Sequence, residues 1–237
     1  MIKLERWSVM NLENAIRGAR NPMNSWDRSD SGYDENGGYI LGKNDLSLAM
    51  RLARAGSDHR KFMRQIFVSV DITAPLYWWK EYDTYKVGTV ANSCSTMHKI
   101  HAKEFTLDDF SIDRTFETGN GWIDADDGTK YLSPFTFFET IVHQLNVYRG
   151  KFLSTKDKTW WWQMIQLLPS SYNQMRTCTL TYENLVNMYH ARRHHKLDEW
   201  HGFCDWVEQL PYSELIVGAP VQAQNRRKAD GIKTGSA

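Results

Sequence analysis

One segment narrows the folding options of this chain more than any other. From Ile66 to Ile72 the sequence alternates, with Ile66, Val68, Val70 and Ile72 on one side and Ser69 and Asp71 on the other. A period of two with one apolar face predicts a half-buried strand. Pro75 then suits the first turn of a helix, where its missing N–H would be unpaired in any case. That helix is expected to run to about Lys86, and a polar loop crowded with hydroxyls, amides and lysines follows as far as Lys99. An apolar scaffold that delivers a polar loop is how a fold presents a small-molecule site.

Around this unit, periodicity and punctuation predict further elements. Leu12 to Arg20 reads as a short helix, and Asn21 to Gly42, rich in Gly, Asn, Asp and Ser, reads as loop. Asp45 to Ala55 is helical, with Leu46, Ala49, Met50, Leu52 and Ala53 on its apolar side and Gly56 closing it. Residues 103–133 form an irregular, acidic insertion. Within it Asp124, Asp126, Asp127 and Gly128 resemble a fragment of a calcium loop, but the alternate ligands and terminal Glu are missing, so a hairpin turn is expected. Helices are predicted over Pro134 to Tyr148, Lys158 to Leu168 and Asp198 to Leu210. Another starts near Thr181, where Thr181 can cap and Asn184 stands at the third helical position. Residues 1–218 are read as the folded unit and 219–237 as a flexible tail. There is no internal repeat.

Totals exclude some classes of function. A chain of 237 residues with net charge +1 has no bulk electrostatic pull toward nucleic acid or membranes. Three cysteines, Cys94, Cys178 and Cys204, are an odd count without CxxC spacing. They point to a reducing, cytoplasmic setting rather than a disulfide framework. No apolar leader or membrane-length run is present. Aromatics are abundant, with ten Trp, eleven Tyr and ten Phe. Core or subunit interface is the favoured reading for them, ahead of stacking on a base or a flavin.

Chemistry concentrates on the helix after Thr181. Leu185, Met188 and Tyr189 recur at helical spacing, and Arg192 falls on their stripe. A guanidinium there demands an anionic partner. That partner is either a protein carboxylate, such as Asp198 or Glu199, or a ligand phosphate. His190 and His194 share a face but lack the further ligands of a metal site, so no metal is expected.

Ordered fragments make the chain similar to the flavin-dependent thymidylate synthases, the ThyX family. AIRGAR at Ala15 to Arg20, His59, FVSVDITAP at Phe67 to Pro75, LLP at Leu167 to Pro169, and then Thr179, Asn187 and Arg192 fall in the family's order and spacing. They cover roughly residues 12–100 and 160–205. The resemblance implies an α+β fold, a mixed sheet flanked by helices in a single domain. It also implies FAD as cofactor, NADPH and methylene tetrahydrofolate as co-substrates, methylation of dUMP or a related pyrimidine deoxynucleotide at C5, and a homotetramer with shared sites. Carried over position by position, it implies flavin contacts from His59, Tyr85, Lys86, Thr89 and Asn187. It places substrate contacts at Lys80, Glu81, Thr84, Asn92, Cys94, Ser95, Thr96 and Arg192. The resemblance assigns no catalytic residue.

The departures lie in the family signature RHRxxSxNExSxR. Here Thr84, Lys86 and Thr96 stand for its arginines, Tyr85 for its histidine and Asn92 for its acidic residue. Thr89 stands for its first serine, and Cys94 takes the place of a ligand-binding serine and reads as a bystander thiol. Glu81 replaces a Gln of the preceding helix, and Ile165 an Arg. Lys86 keeps a positive charge but gives a point charge rather than a fork. Two readings follow: a divergent enzyme of this kind, or a catalytically altered or inactive nucleotide-binding protein on the same fold.

Overall fold

The computed structural model describes residues 2–115 and 121–219. A four-stranded antiparallel sheet lies at its centre, built from β1 (Lys3–Met10), β4 (Phe67–Pro75), β8 (Asn173–Thr181) and β5 (Val90–Ser93) in the order β1-β4-β8-β5. The predicted alternation holds: Val68, Val70, Ile72 and Ala74 of β4 are fully buried, beside Cys178 and Leu180 of β8. Ser69, Asp71 and Thr73 face the other way, opposite Thr179, Thr177 and Met175.

The buried face of the sheet is covered by α1 (Leu12–Arg20), α2 (Lys43–Arg54), α3 (Leu76–Tyr82), α6 (Tyr182–Arg192), α7 (Asp198–Val207) and the single turn α8 (Glu214–Val217). Trp78, Trp79, Trp200 and Phe203 fill the space between α3 and α7, with ring centroids of Trp78 and Trp200 4.7 Å apart. Part of the aromatic content is thus core, while Trp7, Trp26, Trp122 and Trp162 remain exposed. A second, smaller apolar cluster gathers Ile100, Phe105, Phe110, Val142, Leu145 and Met164. It lies among α4 (Pro134–Thr155), α5 (Lys158–Leu167) and the segment from residue 100 to 112. Asn146 pins that segment to α4 through both the amide and the carbonyl of Phe105, each at 2.8 Å.

Several expectations need correcting. The helix after Pro75 stops at Tyr82, four residues short of Lys86: the amides of Thr84 and Tyr85 bond three residues back, to the carbonyls of Glu81 and Tyr82, and the Thr84 hydroxyl also donates to the Glu81 carbonyl. Part of the supposed polar loop is strand β5. Neither β1 nor β8 was foreseen, since KLERWSVM and NQMRTCTLT carry polar residues on both faces. The stretch from Asn21 to Gly42 contains 3-10 turns and a two-residue pairing of β2 (Gly32–Tyr33) with β3 (Tyr39–Ile40). It is anchored by Asp45, which is fully buried and accepts hydrogen bonds from Arg20, Ser29 and Ser31. The helix there begins at Lys43, α4 runs on to Thr155, and α7 ends at Val207 rather than Leu210. The expected hairpin turn at Asp127-Gly128 is present, between β6 (Trp122–Asp124) and β7 (Lys130–Leu132). Of the predicted tail, Ala219 is buried and the remainder lies outside the described residues. No helix among the described residues is long and apolar enough to cross a membrane.

Candidate functional site

The strand-to-helix turn at Pro75 sends α3 across the buried face of the sheet, and its last turn meets the end of α6. Thr181 starts α6 with a capping box: its hydroxyl accepts from the Asn184 amide at 3.2 Å, while the Asn184 side chain accepts from the Thr181 amide at 3.0 Å. The Asn184 side-chain nitrogen then donates to the Val87 carbonyl at 2.7 Å, which ties the loop after α3 to this helix. Gly88 follows with φ +77°, and a side chain there would also press on Asn184.

Two turns further on, Arg192 reaches the same loop. Its Nε donates to the Tyr85 hydroxyl at 2.9 Å, and its Nη1 donates to Glu81 Oε2 at 2.7 Å. The guanidinium carbon sits 4.9 Å from the Trp200 ring centroid and 5.5 Å from that of Tyr85, both within cation–π range. Trp200 Nε1 and His195 Nε2 each approach the same Glu81 oxygen at 3.2 Å. Of the two partners left open by the sequence, Arg192 has the protein carboxylate, and it is Glu81 rather than Asp198 or Glu199.

The remaining candidates divide by position. Lys86 lies one residue beyond Tyr85 and is exposed, as are Lys80 on α3 and Asn187 on α6. Thr89 donates its hydroxyl hydrogen bond to the Tyr85 carbonyl, and Thr84 donates to the Glu81 carbonyl, so both hydroxyls shape the loop. Asn92 is exposed on β5, paired in register with Thr177. Cys94 continues the strand through its amide to the Met175 carbonyl. Ser95 turns the chain by accepting from the amides of Met97 and His98, and its hydroxyl is 2.8 Å from His98 Nδ1. Thr96 is half-buried in that turn. His59 stands apart. Its neighbour Arg60 pairs with Glu183 in the first turn of α6 at 2.8 Å, so His59 is near the far end of that helix from Arg192, roughly 13 Å along its axis.

Within one chain, then, Glu81, Tyr85 and Arg192 meet, with Lys86 and Thr89 beside them, while His59 does not join. Sequence reasoning missed Trp200 and the pairing of Glu81 with Arg192. Nothing in a single sequence links positions 111 residues apart, and a tryptophan in the first turn of an amphipathic helix reads only as core.

No family model and no curated protein sequence matches the chain. Solved structures do. Thymidylate Synthase X from Helicobacter pylori with FAD and dUMP superposes with a TM-score of 0.62 at 15% identity, over 92% of this chain and 97% of that one. This is the flavin-dependent thymidylate synthase fold. A second ThyX structure from the same organism, also with FAD and dUMP, matches at TM-score 0.62 and 15% identity over 93% and 99% of the two chains. The UMP/dUMP methylase PolB from Streptomyces cacaoi, bound with 5-Br dUMP, gives 0.58 at 14% identity over 93% and 98%. The ThyX-like α+β fold expected from the ordered fragments is therefore present over more than nine-tenths of the chain, in a divergent sequence.

Proposed function

We propose that this protein binds FAD and a pyrimidine deoxynucleotide and modifies the nucleotide at C5, in the manner of a flavin-dependent thymidylate synthase. The observation that carries this reading is the near full-length match to structures holding FAD and dUMP, joined to a cation–aromatic cluster on the loop after α3. The donor set fits a flavin nucleotide. Lys86, Asn187 and His59 offer an ammonium, an amide and an imidazole, and all three are exposed. Lys86 suits the pyrophosphate as a point charge, and Asn187 suits the polar ring edge. When bound, FAD supplies hydride chemistry, with NADPH as reductant and methylene tetrahydrofolate as one-carbon donor.

The chain's own part is binding and orientation. Thr89 and Asn184 fix the loop, Tyr85 offers a ring face, Trp200 backs Arg192 from within the core, and Asn92, Cys94, Ser95 and Thr96 line the strand end beyond it. Lys80, Glu81, Thr84 and Arg192 complete the proposed substrate side. Because His59 and Arg192 lie at opposite ends of α6, a site using both is built from more than one copy of the chain. A homotetramer is the assembly proposed for it, in a cytoplasmic setting.

A second reading, nucleotide binding without turnover, is favoured by one observation: Glu81 already engages Arg192. An absorbance spectrum of the purified protein, followed by thermal-shift titration with FAD and dUMP, tests both. A yellow protein stabilised by both ligands is expected. A colourless protein that takes up no FAD would overturn the enzymatic reading, and absence of any shift with dUMP would overturn both.

A further inference from the structure

Three donors converge on one oxygen at Glu81. Arg192 Nη1 is 2.7 Å from Oε2, and His195 Nε2 and Trp200 Nε1 are each 3.2 Å from it. His195 Nδ1 accepts from the Leu197 amide at 3.2 Å, so the ring hydrogen is on Nε2 and points at the carboxylate. The guanidinium is equally committed, held by the Tyr85 hydroxyl at its Nε and flanked by the rings of Trp200 and Tyr85. The side chains of Arg192 and Glu81 retain only 19% and 33% of their exposure.

We propose that Glu81 is a resident anion that withholds Arg192 from a ligand phosphate, and so determines where the site reads an anionic group. A phosphate brought to Arg192 would meet a carboxylate already at bonding distance, and like charges that close repel. Surrendering the guanidinium would leave Glu81 half-buried with only two neutral donors, a poor exchange for a charge. The pair is net neutral, and the phosphate falls instead to Lys86, which is exposed one residue beyond Tyr85 and makes no ion pair among the described residues. An amide at position 81 would keep the hydrogen bonds and remove the competing charge, turning Arg192 outward in function without moving it.

The identity of the nucleotide rests on the reading given above, whereas the role of Glu81 does not. The test is calorimetric titration of the full chain at fixed low ionic strength with inorganic pyrophosphate, dUMP and deoxyuridine. The variants are Glu81→Gln, Glu81→Gln/Arg192→Gln and Glu81→Asp. In Glu81→Gln, pyrophosphate is expected to bind at least about tenfold tighter than in the wild type, with the gain lost in the double variant and no comparable gain for deoxyuridine, which carries no phosphate. If Glu81→Gln does not fold, Glu81→Asp, whose carboxylate is one methylene shorter, should give a smaller gain of the same sign. No gain for pyrophosphate, or a gain that survives loss of Arg192, would overturn the proposal. Tighter pyrophosphate with no dUMP binding in any variant would keep the role of Glu81 and remove the nucleotide reading.

Discussion

Single side chains carry distinct burdens in this molecule. Asp45 is fully buried, and burial alone would raise its carboxyl. The hydrogen bonds from Ser31 and Ser29, with Arg20, outweigh that and hold it below the usual carboxylate range. A carboxyl lowered in the folded state stabilises the fold above its unfolded value near about pH 4, and that contribution is lost as pH falls through the lower folded value. Asp45→Asn should therefore cost about 3 kcal/mol at pH 7 by leaving Arg20 buried and unpaired. In urea unfolding, the gap from wild type should narrow at pH 3. Equal gaps at both values would refute it. The thiols differ as sharply. Burial pushes Cys178 up to about 11 and Cys204 up to about 12, whereas Cys94 is exposed. Ellman's reagent should find one fast thiol in the native protein and three in denaturant; two fast thiols would contradict the packing.

Helices and strands were not equally legible. The helices of residues 12–20 and 158–167, and the start of α6, follow from apolar stripes and caps that any reader of the sequence can see. β4 was visible because its alternation is clean. β8 was not, because Gln174 and Arg176 stand on its core-facing side, where Arg176 is satisfied by Asp83 at 2.8 Å and by the Trp79 ring at 4.1 Å. Those compensations come from another part of the chain, so the strand cannot announce itself locally. The same holds for the candidate site. Lys86, Tyr85 and Arg192 could be named from order and spacing, but Glu81 as the partner of Arg192 needed the crossing of α3 and α6. The link between loop and helix predicts its own test. Asn184→Ala removes half of the capping box and the bond to Val87 together, and should cost about 1–2 kcal/mol. It should also raise amide exchange in residues 85–89 above that of α3. A purely global loss of protection would show that the loop is held by something else.

At the scale of the whole molecule, the described residues form two apolar clusters rather than one. The larger lies under the sheet and contains the Glu81–Arg192 pair at its margin, while the smaller is enclosed by α4, α5 and the segment that Asn146 holds. Leu145 is completely buried in the smaller cluster, so Leu145→Ala should cost about 3 kcal/mol. By hydrogen exchange, the opening should be confined to residues 134–167, with β4 and β8 still protected. Exchange rising equally in the sheet would show a single cooperative unit. The divided interior also bears on how such a protein drifts. Substitutions in the helical hairpin are buffered from the strands, and those beneath the strands from the hairpin. Each compartment can be rewritten on its own schedule, and an architecture outlasting most of its lettering is what such insulation allows.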